Sequence, residues 1–375
     1  MATKVFVMTH KKINLQEDDT FIPLHVGRAC ADDLGYIGDN TGDNISEYNK
    51  FFGELTGLYW IWKNYEGSEN IGICHYRRYF VDGDNKWLRT DEFDSILYEY
   101  DVITSHNAGG QKTWRELFYE AHNPQDLNAM EEVIKTLYPE YYEEYERVID
   151  GHDIYFGNLC VMPRELYDKY CEWMFSILFE TSKYIDTTGY DAYSTRVYGF
   201  LSESMLMTWI RVNNLKPYEC KVVLTSEKAE KVELKAAVKS LLSQNKPEEA
   251  RQLFFDILKV RPDIELHSAD LKKEIPLIED ILLIVVTERE NGIDGMLSFS
   301  NDLDELIDAY LNYYKIMQNI SNGNIRENDI AFLKEHRFSK VVLEGMLHFD
   351  RYELFGCAPL KGDIIRDVIS EELGL

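Results

Sequence analysis

The chain is 375 residues long, which is enough for two domains with a sizeable core in the larger one. Hydrophobic residues make up 45% of the sequence and aromatic residues 13%, so general disorder is excluded. The 66 acidic and 40 basic side chains give a formal net charge of −26 at pH 7. Such a composition argues against binding to nucleic acid, and charge alone does not draw the chain to an anionic membrane.

Membrane, export and metal signatures are also missing from the sequence. It has no run of about 18 apolar residues, so we expect no membrane span, and its N-terminus has no apolar segment of the kind found in signal peptides. The six cysteines are scattered without a Cys-x-x-Cys pair. This pattern predicts reduced thiols in a cytoplasmic protein and no zinc knuckle.

The predicted elements up to residue 225 alternate between strands and helices. Apolar runs predict strands at 5–9, 21–28, 71–74, 100–104, 153–162 and 221–224. Amphipathic spacing predicts helices at 54–64, at 90–98, at 113–149 with a break at Tyr138-Pro139, around 170–178, and at 199–213. Strands separated by helices predict an α/β fold with a largely parallel, layered sheet.

From about residue 226 the pattern becomes mostly helical, so we expect domains of 1–225 and 226–375. Two amphipathic stretches joined by Gln244-Asn-Lys-Pro247 resemble a single tetratricopeptide-type hairpin at about 234–262. A second copy is not evident and repeat arrays need several, so a short helical bundle is an equal interpretation. The apolar run at 281–286 fits a strand and a helix equally well.

Cationic side chains follow the predicted strand at 71–74. His75, Arg77 and Arg78 come directly after it, and α/β folds bind ligands at the carboxyl ends of their strands. Bulky cations at this place favour an anionic partner such as a phosphate. The alternative is that the two arginines bridge to surface carboxylates, of which the chain has many.

Several ordered motifs then carry a family resemblance over roughly residues 4–225. They are Thr9-His10-Lys11, Pro23-Leu-His-Val-Gly27, Asp43-Asn-Ile-Ser46, Glu54-Leu-Thr56, Tyr59-Trp-Ile-Trp-Lys-Asn64, His75-Tyr-Arg-Arg-Tyr-Phe80, Phe156-Gly-Asn158 with Met162, Tyr170–Trp173, and Arg196 with Gly199–Glu203. In this order they resemble a bacterial family of capsular and exopolysaccharide glycosyltransferases that was long catalogued as a domain of unknown function. The resemblance does not extend to residues 226–375.

The resemblance implies a GT-A-like, Rossmann-type domain that binds a nucleotide sugar, with UDP as the expected nucleotide. Some relatives are thought to transfer galactofuranose, which favours that sugar. We expect the donor to be bound by His10, Lys11, Gly27, Arg28, Asn44, Asn49, His75, Arg77, Arg78, Asn158 and Arg196. Gly27 lies at a strand end, where a glycine lets the backbone approach a ligand closely. The alternative there is an ordinary turn glycine beside solvated cations.

Basic side chains occupy the position in this sequence where many related folds have a metal-binding motif. Many GT-A enzymes place an Asp-x-Asp pair after the third strand to hold a divalent metal on the diphosphate. Here that slot is His75-Tyr76-Arg77, which puts a Mn²⁺ or Mg²⁺ cofactor in doubt. We expect Arg77 or Arg78 to neutralise the diphosphate directly. Asp82-Gly-Asp84 has the Asp-x-Asp spelling and is the remaining metal candidate, but its glycine and Asn85 favour a turn.

Sugar transfer often needs a carboxylate that deprotonates the acceptor hydroxyl. Glu203, in the predicted helix at 199–213, and Asp191, in the turn-like Gly189-Tyr-Asp191, are the leading candidates for this catalytic base. Asp153 ranks after them. Each has an ordinary alternative as a surface charge or a helix partner, since Glu203 also suits a pair with Arg196.

The sequence as a whole favours an enzyme that transfers a sugar from a nucleotide diphosphate to a growing, lipid-linked surface polysaccharide. We expect it in the cytoplasm, with a peripheral position at the inner face of the membrane, and we expect 226–375 to serve oligomerisation or the docking of a protein partner. The alternative is a non-catalytic carbohydrate- or protein-binding module with a transferase-like fold, which the missing Asp-x-Asp keeps open.

Overall fold

The computed structural model describes residues 2–15, 19–107, 109–110, 112–227, 229–261, 264 and 273–375. The chain divides into two compact units, one up to Thr225 and one from Ser226. The first unit has buried apolar clusters on both sides of a sheet, and the second has one cluster among its helices. None of the described helices is both long enough and apolar enough to cross a membrane.

The first unit is built on a mixed sheet. Its strands are β1 (Lys4–Thr9), β2 (Phe21–His25), β3 (Ile37–Gly38), β4 (Asn70–His75), β5 (Arg78–Val81), β6 (Val102–Ser105), β7 (Cys160–Pro163) and β8 (Pro217–Leu224). Successive side chains of a strand point to opposite faces. Along β1, Phe6 and Met8 belong to one buried cluster and Val5 and Val7 to another, so both faces of the sheet are covered.

The strand order is β3-β2-β1-β4-β5-β8-β6-β7, and β7 also pairs with β4. Strand β1 runs parallel to β2 and β4, whereas β7 runs antiparallel to β4 and β6. The five strands β4, β5, β8, β6 and β7 therefore form a small barrel-like ring, which the pairing of β7 with β4 closes. This arrangement differs from the largely parallel, layered sheet that the alternation of strands and helices predicts.

The tight connection between β4 and β5 explains part of this difference. Only Tyr76 and Arg77 join the two strands, and His75 pairs with Arg78. Two residues are enough to join antiparallel strands, whereas parallel strands need a long crossover. Strand β5 escapes prediction because it begins with an arginine directly after other cations, where no turn residue marks a hairpin.

The helices of the first unit cover both faces of the sheet. They are α1 (Asn49–Phe52), α2 (Leu55–Asn64), α3 (Thr90–Leu97), α4 (Trp114–Ala121), α5 (Pro124–Leu137), α6 (Pro139–Ile149), α7 (Arg164–Thr181), α8 (Val197–Ser202) and α9 (Met205–Val212). Helix α2 is buried along most of its length. Gly57 permits this close packing, because a Cβ there would lie 2.5 Å from Met8 Sδ and 2.8 Å from Val26 Cγ1. The predicted break at Tyr138-Pro139 is confirmed.

The helix predicted at 199–213 is in fact two helices, α8 and α9, with Glu203 at the break between them. The Ser202 hydroxyl donates to the Gly199 carbonyl at 2.7 Å, and the Ser204 hydroxyl donates to the Leu201 carbonyl at 3.0 Å. Serine hydroxyls that bond back to the preceding turn bend a helix. Glu203 therefore lies at a bend, and not inside a regular helix.

The second unit is helical in its described residues. Its helices are α10 (Ala229–Ser243), α11 (Pro247–Val260), α12 (Ile275–Glu290), α13 (Met296–Phe299), α14 (Leu303–Ser321), α15 (Glu327–Glu335), α16 (Lys340–Phe349), α17 (Tyr352–Phe355) and α18 (Gly362–Leu373). Helices α10 and α11 are the two arms expected of the predicted hairpin, whose last residue, 262, lies outside the described residues. The apolar run at 281–286 is part of α12.

A buried ion pair joins three segments of the second unit. Asp280 of α12 is fully buried and accepts hydrogen bonds from the Tyr310 hydroxyl at 2.9 Å and from Arg351 Nη2 at 2.6 Å. Burial raises the pKa of Asp280, and the hydrogen bond and charge of Arg351 act in the opposite direction. Such a pair fixes the geometry of its helices more than it adds to stability.

Candidate active site

Three of the predicted donor-binding side chains surround the ring of Tyr76, where the carboxyl ends of β1 and β4 meet. His10 lies edge-on to this ring at a centroid distance of 5.2 Å. Lys11 Nζ lies 4.6 Å from the ring centre and Arg77 Cζ lies 5.4 Å from it. His10 and Lys11 are exposed, whereas Arg77 is only 8% exposed. This edge of the sheet therefore combines positive charge with an aromatic face.

A buried carboxylate, Asp39, holds the loop that follows β2. Its Oδ2 accepts hydrogen bonds from the Gly27 N–H at 2.8 Å and the Thr56 hydroxyl at 2.6 Å. Its Oδ1 accepts from the Arg28 N–H at 3.0 Å and from the Ser46 hydroxyl. Asp39 is fully buried, so these four donors replace its hydration. The sequence analysis gives Asp39 no role, because an aspartate in a polar turn gives no sign of burial.

Gly27 and Asn49 pack against each other within this loop. Gly27 has a φ of 70°, a left-handed conformation that glycine adopts at little cost. A Cβ on Gly27 would lie 2.7 Å from Asn49 Cγ. The Asn49 amide nitrogen donates to the Gly53 carbonyl at 2.7 Å and to the Thr56 hydroxyl at 3.0 Å. Asn49 thus ties the loop after β2 to the start of α2.

Arg28 and Asn44 have their polar groups engaged in their own loops. Arg28 Nη1 donates to the Ala31 carbonyl at 2.7 Å, and Nη2 lies 3.4 Å from Asp33. Asn44 Oδ1 accepts from the Ser46 N–H at 3.2 Å. These contacts shape the rim of the region around Gly27, and the roles of both side chains in donor binding stay predictions.

Arg78, the first residue of β5, packs its guanidinium on the turn that precedes β7. A Cβ at Gly157 would lie 2.2 Å from Arg78 Nη1. Gly157 and Asn158 have positive φ angles of 84° and 54°, so a turn occupies the middle of the strand predicted at 153–162, and β7 begins only at Cys160. Within the part of the chain that the structure describes, Arg78 forms no direct ion pair. No bonded carboxylate there neutralises its charge.

The turn at 157–158 also fixes two carboxylates. Asn158 Nδ2 donates to Glu54 Oε1 at 3.1 Å and to the Ser202 hydroxyl at 2.9 Å. The Gly157 backbone N–H interacts with the carboxylate of Glu203 and lowers its pKa. Glu54 comes directly before α2 and Glu203 lies between α8 and α9. Two acidic side chains that are distant in sequence are therefore held by one turn.

Burial raises the pKa of Glu203 to about 7, and the negative charge of Glu54 adds to the rise, while Arg78 and Arg196 act against it. Burial also raises the pKa of Glu54, but His75 and Arg196 reverse the effect and hold it below its ordinary value. Burial lowers the pKa of His75 to about 4. Arg196, 3.7 Å from Glu54 Oε2, and the Asn158 amide nitrogen both favour the ionised form of Glu54.

Asp191, the other leading candidate for the base, caps a turn. Its Oδ1 accepts from the N–H groups of Tyr193 at 2.8 Å and Ser194 at 2.7 Å, and this arrangement begins the 3₁₀ helix Ser194–Arg196. Its side chain is thus occupied by the local backbone.

Asp153 is bound by two polar side chains. Asn107 Nδ2 donates to its Oδ1 at 2.6 Å and Arg211 Nη2 donates to its Oδ2 at 3.0 Å. The hydrogen bonds from Asn107 and Arg211 lower the pKa of Asp153, which makes it a weaker base than Glu203.

Asp82 and Asp84 lie in a turn after β5. Asp82 Oδ1 accepts from the N–H groups of Asp84 at 2.8 Å and Lys86 at 2.9 Å, and Asn85 has a φ of 63°. A carboxylate that binds its own turn in this way does not suit a metal site. In the described ranges, no group of three or more His, Cys, Asp or Glu side chains is arranged to hold a metal ion.

The structure gathers five of the predicted residues around one that sequence reasoning misses. The side chain at the centre is Glu54, and those around it are His75, Arg78, Asn158, Arg196 and Glu203. Glu54 belongs to a motif that carries the family resemblance, yet it looks like any acidic residue at the start of a helix, where the helix dipole favours negative charge. Its contacts in the fold are what single it out.

A separate cleft of about 500 Å³ lies elsewhere in the first unit, lined by Glu144, Tyr155, Met207, Ile210, Arg211, Asn214, Leu215 and Pro217. Its charged groups neutralise one another, because Arg211 lies 3.6 Å from Glu144 and 3.0 Å from Asp153. The cluster around Glu54 is the better candidate site. It places a carboxyl that exchanges its proton near neutral pH beside cations that can balance a negative charge.

Comparisons with known proteins identify a similar solved structure and a family. A solved structure named as the apo form of the bifunctional glycosyltransferase WbbM is similar to this chain, with a TM-score of 0.56 and 28% sequence identity. The match covers 60% of this chain and 46% of that chain, so this chain spans less than half of WbbM. No curated protein matches. The fold is thus glycosyltransferase-like, and residues 4–214 match the family described as "Domain of unknown function (DUF4422)", to which the chain belongs.

Proposed function

We propose that the chain is a glycosyltransferase that moves a sugar from a nucleotide-diphosphate donor to an acceptor glycan. The observation that carries the proposal is the placement of Glu203, with a pKa of about 7, beside Arg78 at the end of the sheet where β4 finishes. Sugar transfer needs a base for the acceptor hydroxyl and positive charge for the departing diphosphate. Glu203 is the base in this proposal and Arg78 supplies the charge.

The edge around Tyr76 is the proposed place of the donor. His10, Lys11 and Arg77 contribute cations there, and the Tyr76 ring offers a flat face to a nucleotide. In this proposal Arg77 and Arg78 do the work that a divalent metal does in many GT-A enzymes. A single displacement with Glu203 as base inverts the anomeric configuration of the transferred sugar.

The finer parts of the proposal rest on the resemblance of the sequence motifs. They are a GT-A-like domain at 1–225, UDP as the nucleotide, galactofuranose as the sugar, and a lipid-linked surface polysaccharide as the acceptor. Work on such an acceptor would take place at the cytoplasmic face of the membrane. The helical unit from Ser226 would be an accessory domain for oligomerisation or for docking a protein partner, which light scattering on the full chain would test.

The test begins with the purified chain and a panel of UDP, GDP and CMP sugars that includes UDP-galactofuranose, with and without Mn²⁺. We expect one nucleotide to raise the melting temperature and its sugar to be slowly hydrolysed. Glu203→Gln should keep the thermal shift and lose at least about 100-fold in hydrolysis. Glu165→Gln is the matched control, because Glu165 forms only an exposed pair with Lys169 on α7.

The outcomes separate the parts of the proposal. If no nucleotide shifts the melting temperature and no donor is hydrolysed, the transferase proposal is wrong. If a nucleotide binds but its sugar is never transferred, the chain is a binding module instead. Hydrolysis by Glu203→Gln at the wild-type rate would keep the enzyme but reject Glu203 as its base.

A further inference from the structure

Glu54 lies at the centre of the candidate site and yet has no part in the function proposed above. Its side chain is only 12% exposed, and its two oxygens have different partners. Oε1 accepts from Asn158 Nδ2 at 3.1 Å, and Oε2 lies 3.7 Å from Arg196 Nη2. A carboxylate this buried destabilises the fold unless it is paired, and both of its oxygens are paired here.

Asn158 connects Glu54 to Glu203. The amide nitrogen that donates to Glu54 also donates to the hydroxyl of Ser202, the residue directly before Glu203. The residue before Asn158 is Gly157, whose backbone N–H interacts with the Glu203 carboxylate and lowers its pKa. A shift of Asn158 would therefore disturb both supports of Glu203, the N–H of the turn and the serine at the helix break.

The charges around Glu203 come from several elements of the first unit. Arg78 at the start of β5 and Arg196 at the end of a 3₁₀ helix face it with positive charge, and Glu54 before α2 faces it with negative charge. His75 on β4 and Arg77 in the hairpin add to the same electrostatic environment. Glu54 raises the pKa of Glu203, whereas Arg78 and Arg196 lower it.

We propose that Glu54 is a positioning residue for Glu203: it anchors Asn158, and it holds a negative charge beside the base. The anchor orients the Glu203 carboxylate through the turn at 157–158 and through Ser202. The charge makes Glu203 hold a proton more tightly, so that it is a stronger base near neutral pH. This inference rests on the proposed function, because it assigns Glu54 a task within the same site.

The decisive experiment is an infrared titration of the full chain without substrate. The C=O band of a protonated carboxylic acid is followed with pH, and its loss in Glu203→Gln assigns the band to Glu203. We expect a wild-type midpoint near 7. In Glu54→Gln the midpoint should fall by about one pH unit, since a neighbouring like charge is removed, whereas the surface control Glu165→Gln should leave it unchanged.

An unchanged midpoint in Glu54→Gln would overturn the proposal. A second measurement does not require that variant to fold: in Glu203→Gln the wild-type band with a midpoint near 7 should disappear, because Glu54 does not take up the proton. A band with a midpoint near 7 that remains in Glu203→Gln and is lost when Glu54→Gln is added would mean that Glu54 shares the proton, and would also overturn the proposal. Since no substrate is used, these results do not depend on whether the chain transfers sugar.

Activity gives an independent measure once a donor is known. Glu54→Gln should lower kcat with little change in the KM for the donor, and the acid limb of the pH profile should move to lower pH along with the infrared midpoint. A merely structural role would reduce the active fraction without moving the profile. A lower kcat with an unmoved profile would therefore contradict the positioning role.

Discussion

The guanidinium of Arg78 rests so closely on the backbone of Gly157 that a Cβ at residue 157 would lie 2.2 Å from Nη1. Gly157 has a φ of 84°, and its N–H faces the Glu203 carboxylate, whose pKa it lowers. The glycine therefore has two functions in the site. It allows the left-handed turn that directs an N–H at Glu203, and it leaves room for the cation that faces the same carboxylate.

Gly157→Ala should consequently harm the site more than the fold. We expect a loss of about 1–2 kcal/mol in the free energy of unfolding from the left-handed backbone, together with displacement of Arg78 and weaker donor binding. Gly189→Ala is the matched control, because Gly189 has the same φ of 84° and no atom within 4 Å of its Cβ position. Urea denaturation and donor titration of both variants check this. Equal donor affinities would show that Arg78 does not need the space.

The raised pKa of Glu203 predicts how stability depends on pH. Its value of about 7 in the folded chain lies above the ordinary 4.5, so folding favours the protonated form. The resulting stability is complete below pH 4.5 and is lost as the pH rises through 7. A rise of this size corresponds to about 3 kcal/mol.

Glu203→Gln should therefore be more stable than the wild type at alkaline pH. Glutamine resembles the protonated acid and does not ionise, so the difference in the free energy of unfolding should grow from near zero at about pH 4 to as much as about 3 kcal/mol at about pH 8. Urea denaturation at the two pH values measures it. The same difference at both would mean that Glu203 ionises freely in the folded chain.

In the second unit, Arg351→Met should leave the buried carboxylate of Asp280 without its charged partner. We expect a loss of about 3 kcal/mol in the free energy of unfolding, because an uncompensated charge remains in the interior. Asp280→Asn in the same background should restore part of this loss, since it removes the charge. Both effects are measured by urea denaturation.

Arg366→Met provides the control for that pair. Arg366 lies 2.9 Å from Glu344, and both side chains are nearly half exposed, so its replacement should change the free energy of unfolding by less than about 1 kcal/mol. If Arg351→Met changed the free energy of unfolding as little as Arg366→Met, the ion pair of Asp280 would not contribute to stability as a buried pair.

Much of the local structure could be predicted from the sequence because local patterns determine it. Strand β1, helix α3 and the break at Tyr138-Pro139 all follow from apolar periodicity or from the chemistry of proline. The closure of the sheet could not be predicted in this way. It depends on pairs such as Gly72 with Val161, which are distant in the chain and leave no periodic trace in it.

The residues of the candidate site also fall into two groups, those that the sequence pattern predicts and those that only the fold reveals. The basic residues at 75–78 can be predicted as site residues because they interrupt an apolar pattern, and Glu203 can be predicted because its neighbours are small. Glu54 and Asp39 look like ordinary polar residues at a helix start and in a turn. Their importance comes from burial and from partners such as Asn158 and Gly27, and only the folded chain brings these together.

Asp39→Asn tests the most deeply buried of these polar centres. Each carboxylate oxygen of Asp39 accepts two hydrogen bonds, so an asparagine must turn its NH₂ group towards two donors. We expect a loss of about 2–4 kcal/mol in the free energy of unfolding, because two buried donors lose their acceptor. Since the Gly27 and Arg28 N–H groups are among the four donors, donor binding should weaken as well.

Asp32→Asn is the control, since Asp32 lies in the same loop with an exposed side chain. It should change the free energy of unfolding by less than about 1 kcal/mol and leave donor affinity close to the wild-type value. Urea denaturation and donor titration of the two variants separate the effects. If Asp39→Asn lost stability but bound the donor normally, the loop after β2 would be part of the scaffold alone, and the nucleotide would have to bind around Tyr76 without it.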